Sequence, residues 1–176
     1  DGLNPQTRGP IPGVDASLEW CLTPEQIMVE GKQAPGSRVV VYDTEGYFMG
    51  LSLAEKLMQE GKHVTYVTPF TVASPYTFQT GEGYRINRMF RREGIQILLG
   101  HLVVGASPGA LTLIHGFAPD DRVDLEVDSL VLTTQRLSDD SLYRELKADR
   151  GALEAEGIEG LYRIGDCVMP RMALAD

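Results

Sequence analysis

The apolar positions along the chain change period several times, and each change marks an element. From Arg38 to Tyr42 the run is almost wholly apolar and rich in valine, the pattern of a strand covered on both faces in a parallel sheet. From about Tyr47 the period becomes helical, with Phe48, Leu51, Ala54, Leu57 and Met58 on one face and Gly61 as the stop. "HVTYVT", residues 63–68, then predicts a second strand. Strand, helix and parallel strand within about 30 residues make a βαβ unit with a right-handed crossover.

The flanks follow from the same reading. Residues 1–22 crowd glycine and proline between Gly9 and Gly13 and show no period, so they predict a connector. Thr23-Pro24-Glu25-Gln26 has an N-cap residue, a proline at the first helical position and a glutamine where a capping box needs one; a short helix to about Glu30 follows, ended by Gly31. Residues 68–83 are a loop by their Pro, Ser, Thr and Gly content. "YRINRMFRREG" places Ile86, Met89 and Phe90 on one helical face and Arg85, Arg88, Arg91 and Arg92 largely on the other, ending at Gly94. "IQILLG", "LVVGAS", "ALTLIHGF" and "RVDLEVDSLVLTT", broken by Ser107-Pro108-Gly109 and Pro119-Asp120-Asp121, predict a third parallel strand and an antiparallel meander. "DSLYRELKADRGALEAEG" predicts a helix and "LYRIGD" one closing strand. The fold class is α/β, a central parallel sheet with a β-meander crossover.

Composition narrows the partners. A chain of 176 residues holds one domain with a substantial core, or one domain plus pieces of a neighbour. Lys and Arg total 16 against 25 Asp and Glu, a formal charge of −9, which argues against nucleic acid and anionic membranes as partners. The two cysteines, Cys21 and Cys167, make neither a disulfide framework nor a metal cluster, and a reducing cytoplasm fits them. No apolar run approaches the roughly 20 residues that span a bilayer. The N-terminus lacks the blocks of a signal peptide, and without an initiating methionine the chain reads as an excised fragment.

The βαβ turn is where chemistry would sit. A dinucleotide fingerprint uses its first glycine for a tight turn, its second for backbone approach to the pyrophosphate and its third for helix packing. Counting back from Gly50 at the third position, the first falls on Glu45 and the second on Tyr47. A carboxylate and a phenol ring there oppose a pyrophosphate. The second strand also ends at Val67-Thr68 without the acid that would hold a ribose or the arginine that would hold a 2′-phosphate. Gly46 and Gly50 therefore belong to a degenerate, vestigial turn; the competing reading is an active nucleotide site built on an unusual turn from the same two glycines.

"LTPEQIMVEGKQAPGSRVVVYDTEGYFMGLSLAEKLMQEGKHVTYVT", together with "DGLNPQTRGPIPGVDASL", "VDSLVLTTQR" and "GIEGLYRIGDCVMPR", resembles trimethylamine dehydrogenase and its relatives, the dimethylamine and histamine dehydrogenases, and more distantly 2,4-dienoyl-CoA reductase. The resemblance implies a three-layer Rossmann-like domain of glutathione-reductase type. It divides the chain into residues 1–34, a connector and short helix flanking from an FAD-like, ADP-binding domain; 35–135, an NAD(P)-binding-like domain; and 136–176, a return into the FAD-like domain. The whole enzyme is then implied to carry FMN and a [4Fe–4S] cluster in an N-terminal TIM barrel, with ADP or FAD in the FAD-like domain. It would pass electrons from an amine to an electron-transferring flavoprotein and form a homo-oligomer. The fragment itself would be structural, bind no cofactor and be inactive. The dienoyl-reductase branch implies instead a working NAD(P)H domain.

The resemblance also assigns Gly165 and Asp166, after the closing strand, to the motif beside the ADP or FAD of that neighbouring domain. A Gly-Asp pair after a strand is otherwise an ordinary turn. Thr133-Thr134-Gln135-Arg136 resembles the family's domain-crossing segment with Gln135 in place of a glycine, so Arg136 reads as structural. The arginine face of residues 85, 88, 91 and 92 is either a solvated helix face or a docking site for an acidic partner or for the barrel. His63, His101 and His115 show no ligand spacing, and Cys167 has no CxxC partner, so no metal is expected.

Overall fold

The computed structural model describes residues 10–170, and the readings that fall on residues 1–9 and 171–176 lie outside them. The chain divides into two units, ending and beginning at Gln135 and Arg136. In the first, five parallel strands run β1 (Cys21–Leu22), β8 (Ser129–Thr133), β2 (Arg38–Asp43), β3 (His63–Thr68), β4 (Gln96–Leu99), in that spatial order. A separate antiparallel sheet holds β5 (His101–Ser107), β6 (Ala110–His115) and β7 (Ala118–Glu126).

Alternation along the strands builds two cores. Val39 and Val41 of β2, Tyr66 of β3 and Val131 of β8 face α1 (Pro24–Met28), α2 (Phe48–Gln59) and α3 (Gly83–Glu93), where Ile27, Leu53, Leu57, Ile86 and Phe90 meet them. Val40, Tyr42, Val67, Leu130 and Leu132 face the meander, packing with Val103, Leu111 and Leu113. Because both faces are covered, β2 has no polar alternation to show, which is why it reads as a continuous apolar run. Helices, parallel sheet and meander form three layers.

Local signals hold at several ends. Thr23 and Gln26 form the reciprocal capping box at α1. Gly94, left-handed at φ 74°, closes α3. The N-terminal edges of β2 and β8 are clamped by Asp128, whose carboxylate accepts from the Ser37 and Arg38 amides at 2.8 Å each and from the Arg38 guanidinium. That guanidinium holds the Asp128 carboxyl far below the usual carboxylate range, so the clamp loosens only as strong acid protonates it.

Four readings are corrected. The segment before Thr23 is not only connector, since Cys21 and Leu22 pair with Leu130 and Val131 as an edge strand. "RVDLEVDSLVLTT" is not one strand: it breaks after Glu126, where Asp128 turns to its clamp, and its two halves join different sheets. The helix of residues 140–157 is two, α4 (Ser141–Ala148) and α5 (Arg150–Ala155), because Asp149 leaves helical geometry and its side chain caps the second by accepting from the Ala152 amide. "LYRIGD" is not a strand: residues 161–164 pair with no strand among the described residues, and Gly165 and Asp166 already belong to a short helical turn, Gly165–Cys167. In that unit neither helix has a buried residue, and Tyr162 and Ile164 are 87% and 84% exposed.

Candidate functional site

The turn from β2 to α2 lies at the carboxyl ends of the parallel strands, where open α/β sheets bind ligands. Strand β2 ends at Asp43, and Thr44 donates its amide to the Thr133 carbonyl of β8 at 2.9 Å. The Asp43 carboxylate then folds back over the turn: Oδ1 accepts from the Glu45 and Gly46 amides, each at 2.9 Å. Oδ2 accepts from the Tyr66 hydroxyl, and the Ser74 hydroxyl lies 3.3 Å from it and 2.9 Å from the Tyr66 oxygen. Gly46 takes φ 77°, which favours glycine whatever the ligand.

Aromatic rings close the turn from the other side. A Cβ on Gly46 would lie 2.8 Å from the Phe70 ring and 3.1 Å from that of Tyr76. Tyr76 donates its amide to the Gly46 carbonyl at 3.1 Å and stacks on Tyr47 with ring centroids 4.8 Å apart. Phe70 meets Tyr76 edge-on at 5.9 Å. The 68–83 loop, through its helical turn Pro75–Phe78, thus seats rings on the backbone that a pyrophosphate would need to approach. At Gly50 a Cβ would stand 2.6 Å from Asp43 Oδ2, so helix α2 approaches the end of β2 closely through that glycine.

Burial pushes the Asp43 carboxyl up, against the pull of its four hydrogen-bonding neighbours, and it pushes the Tyr66 phenol up together with the Asp43 charge beside it. A carboxyl raised by folding adds stability that is fully present below its unfolded value and fades as pH rises through the folded one, the reverse of Asp128. Asp43, Tyr66 and Ser74 escaped the sequence reading. The available signal was an aspartate at the end of a strand otherwise fully apolar, which must find donors.

The other candidates lie elsewhere. Gly165, at φ 67°, and Asp166 open a short helical turn in the second unit, and both are exposed. Arg85, Arg88, Arg91 and Arg92 are all exposed on α3, and among the described residues none enters an ion pair. His101 and His115, unrelated by spacing, are cross-strand partners with ring centroids 5.1 Å apart. Among the described residues no three His, Cys, Asp or Glu converge on a metal position. Burial raises the Cys21 thiol to about 11, which makes it inert. No helix among the described residues is long and apolar enough to cross a membrane.

Residues 22–124 match the family model described as the OYE-like second alpha/beta domain. The chain belongs to that family. It is 37% identical over 97% of its length to dimethylamine dehydrogenase of Hyphomicrobium sp. (strain x). In three dimensions it matches histamine dehydrogenase of Rhizobium sp. 4-9 with a TM-score of 0.86 at 29% identity over 98% of the chain. The 6-hydroxypseudooxynicotine amine oxidase of Pseudomonas geniculata N1 matches with a TM-score of 0.81 at 32% identity over 97%. These relatives place the chain in the trimethylamine dehydrogenase group that its motifs resemble. The chain spans 25%, 26% and 24% of the respective relatives.

Proposed function

We propose that this is a domain of glutathione-reductase type that keeps a nucleotide fold without its nucleotide, within a cytoplasmic FMN and [4Fe–4S] oxidoreductase acting on an amine. The observation that carries the reading is the closed turn: the Tyr47–Tyr76 stack and the Asp43 carboxylate occupy both approaches to the Gly46 backbone. In this reading a pyrophosphate has no open approach to that backbone. Nor can this chain's two cysteines, one of them fully buried, supply the four thiolates of a cluster, so in this reading the cluster falls to other parts of the full-length enzyme. The work of this chain is packing and assembly.

Calorimetric titration of the chain with NADH and NADPH tests this: no heat of binding is expected at micromolar concentrations. Micromolar binding would favour the alternative, a working NAD(P)H domain of dienoyl-CoA-reductase type, and Tyr47→Gly should then tighten it. With Asp43 in place, Tyr47→Gly alone is expected to gain nothing.

Residues 136–176 return, in this reading, to an FAD-like domain whose ADP or FAD lies near Gly165 and Asp166. Their exposed apolar side chains, among them Leu137 and Ile164, support a partner surface of that kind. The α3 arginines are the proposed docking face for an acidic electron-accepting protein, an electron-transferring flavoprotein. Like charges at i, i+3 and i, i+4 destabilise a helix by about 0.2–0.5 kcal/mol per pair, a cost that an acidic partner would offset. Arg88→Glu with Arg91→Glu in the full-length enzyme is expected to slow reduction of that acceptor several-fold at low salt and little at high salt. An unchanged rate removes the docking role.

A further inference from the structure

Asp43 is fully buried with no cation bonded to it, yet polar groups from three separate segments converge on it. The Glu45 and Gly46 amides come from the turn, the Tyr66 hydroxyl from β3 and the Ser74 hydroxyl from the loop that carries the closing rings. Two of these groups, the amides, can only donate. Ser74 is held at φ 46°, alone among the described non-glycine residues in having a positive φ. An αL serine costs on the order of 1 kcal/mol or more, so the loop bears strain at the residue whose hydroxyl reaches the carboxylate and Tyr66. Gly50 leaves the carboxylate room, since a side chain there would collide with it.

Backbone amides of a turn that opens onto a helix N-terminus are the groups that a nucleotide turn offers to a phosphate. We infer that Asp43 is a resident carboxylate that takes those hydrogen bonds internally, so that its removal uncovers a buried site for a small oxyanion of the formate class. The inference goes beyond the absence of a nucleotide: it says what holds the turn shut, and it links that lock to folding, because the same carboxylate ties β2, β3 and the 68–83 loop together.

Chemical rescue tests it. In the full chain, Asp43→Ala is expected to lower the midpoint of thermal unfolding on the order of 5 °C or more. Sodium formate should recover most of that loss along a saturating curve, while sodium chloride at equal ionic strength should not, and the parent chain should respond to both salts alike. If Asp43→Ala does not fold in chloride, the folded fraction recovered on refolding in formate replaces the midpoint. Equal effects of formate and chloride, by either readout, overturn the inference. Hydrogen exchange on the unmutated chain is a second check: the Glu45 and Gly46 amides should be protected, and exchange at the rate of an open turn overturns it as well. A failed rescue leaves the aromatic closure and the NAD(P)H titration untouched, so the two readings fail separately.

Discussion

Phe90→Ala is expected to lower the unfolding free energy of the chain by about 3–5 kcal/mol, the range for emptying an aromatic site in a packed core. Phe90 is fully buried, and of α3 only Gly83, Ile86 and Phe90 are buried, with Met89 partly buried against the same core, so this ring is the helix's main anchor. It also packs at 5.4 Å, centroid to centroid, against Tyr66, the residue that donates to Asp43. Against a typical total of about 5–15 kcal/mol the loss is a large share. Urea unfolding measures it, and amide exchange should show α3 losing protection before the parallel sheet. A loss below about 1 kcal/mol would mean that the ring's site collapses around the smaller side chain and that α3 is held some other way.

Gly50→Ala should destabilise although the position is helical. In an ordinary helix interior alanine gains up to about 1 kcal/mol over glycine. Here the added methyl would stand 2.6 Å from Asp43 Oδ2 and 2.9 Å from its Cβ, and the carboxylate is held by its hydrogen bonds. Overpacking of that kind costs about 1–3 kcal/mol and exceeds the propensity gain. The two contributions can be separated by combining Gly50→Ala with Asp43→Ala, where the carboxylate contacts are gone and only the one with the Cβ of residue 43 remains, so the alanine should cost less than it does alone. A stabilised Gly50→Ala chain would show that helix α2 shifts freely on the strand.

Much of the fold was legible because its signals are local. The period switch between Tyr42 and Phe48, the box of Thr23 and Gln26 and the stop at Gly94 each lie within a few residues of the structure they specify. The site was legible only on its chain-local side. Tyr47 and the spared Gly50 can be read in the turn, but the donors to Asp43 include Tyr66 and Ser74, 23 and 31 residues away, and no spacing rule relates them. His101 and His115 became neighbours through a cross-strand register that no periodicity reveals. "LYRIGD" misled for a different reason: an apolar run has the composition of a strand, but the strand itself exists only where a neighbour offers backbone groups to pair.

The place of β8 has a consequence for the order in which the chain can assemble. β8 lies between β1 and β2 and bonds to both, while its clamp residue Asp128 follows Arg38 by 90 residues. At ribosomal speeds of about 5–20 residues per second, a newly made β2 waits on the order of 5–20 seconds before its inner partner exists. In that interval α2 and β3 can already fold against it, but one hydrogen-bonding edge of an almost wholly apolar strand stays open. The sheet is completed last at the strand that joins its β1 edge to β2, and the vulnerable moment of this chain's life falls between the synthesis of Tyr42 and that of Thr133.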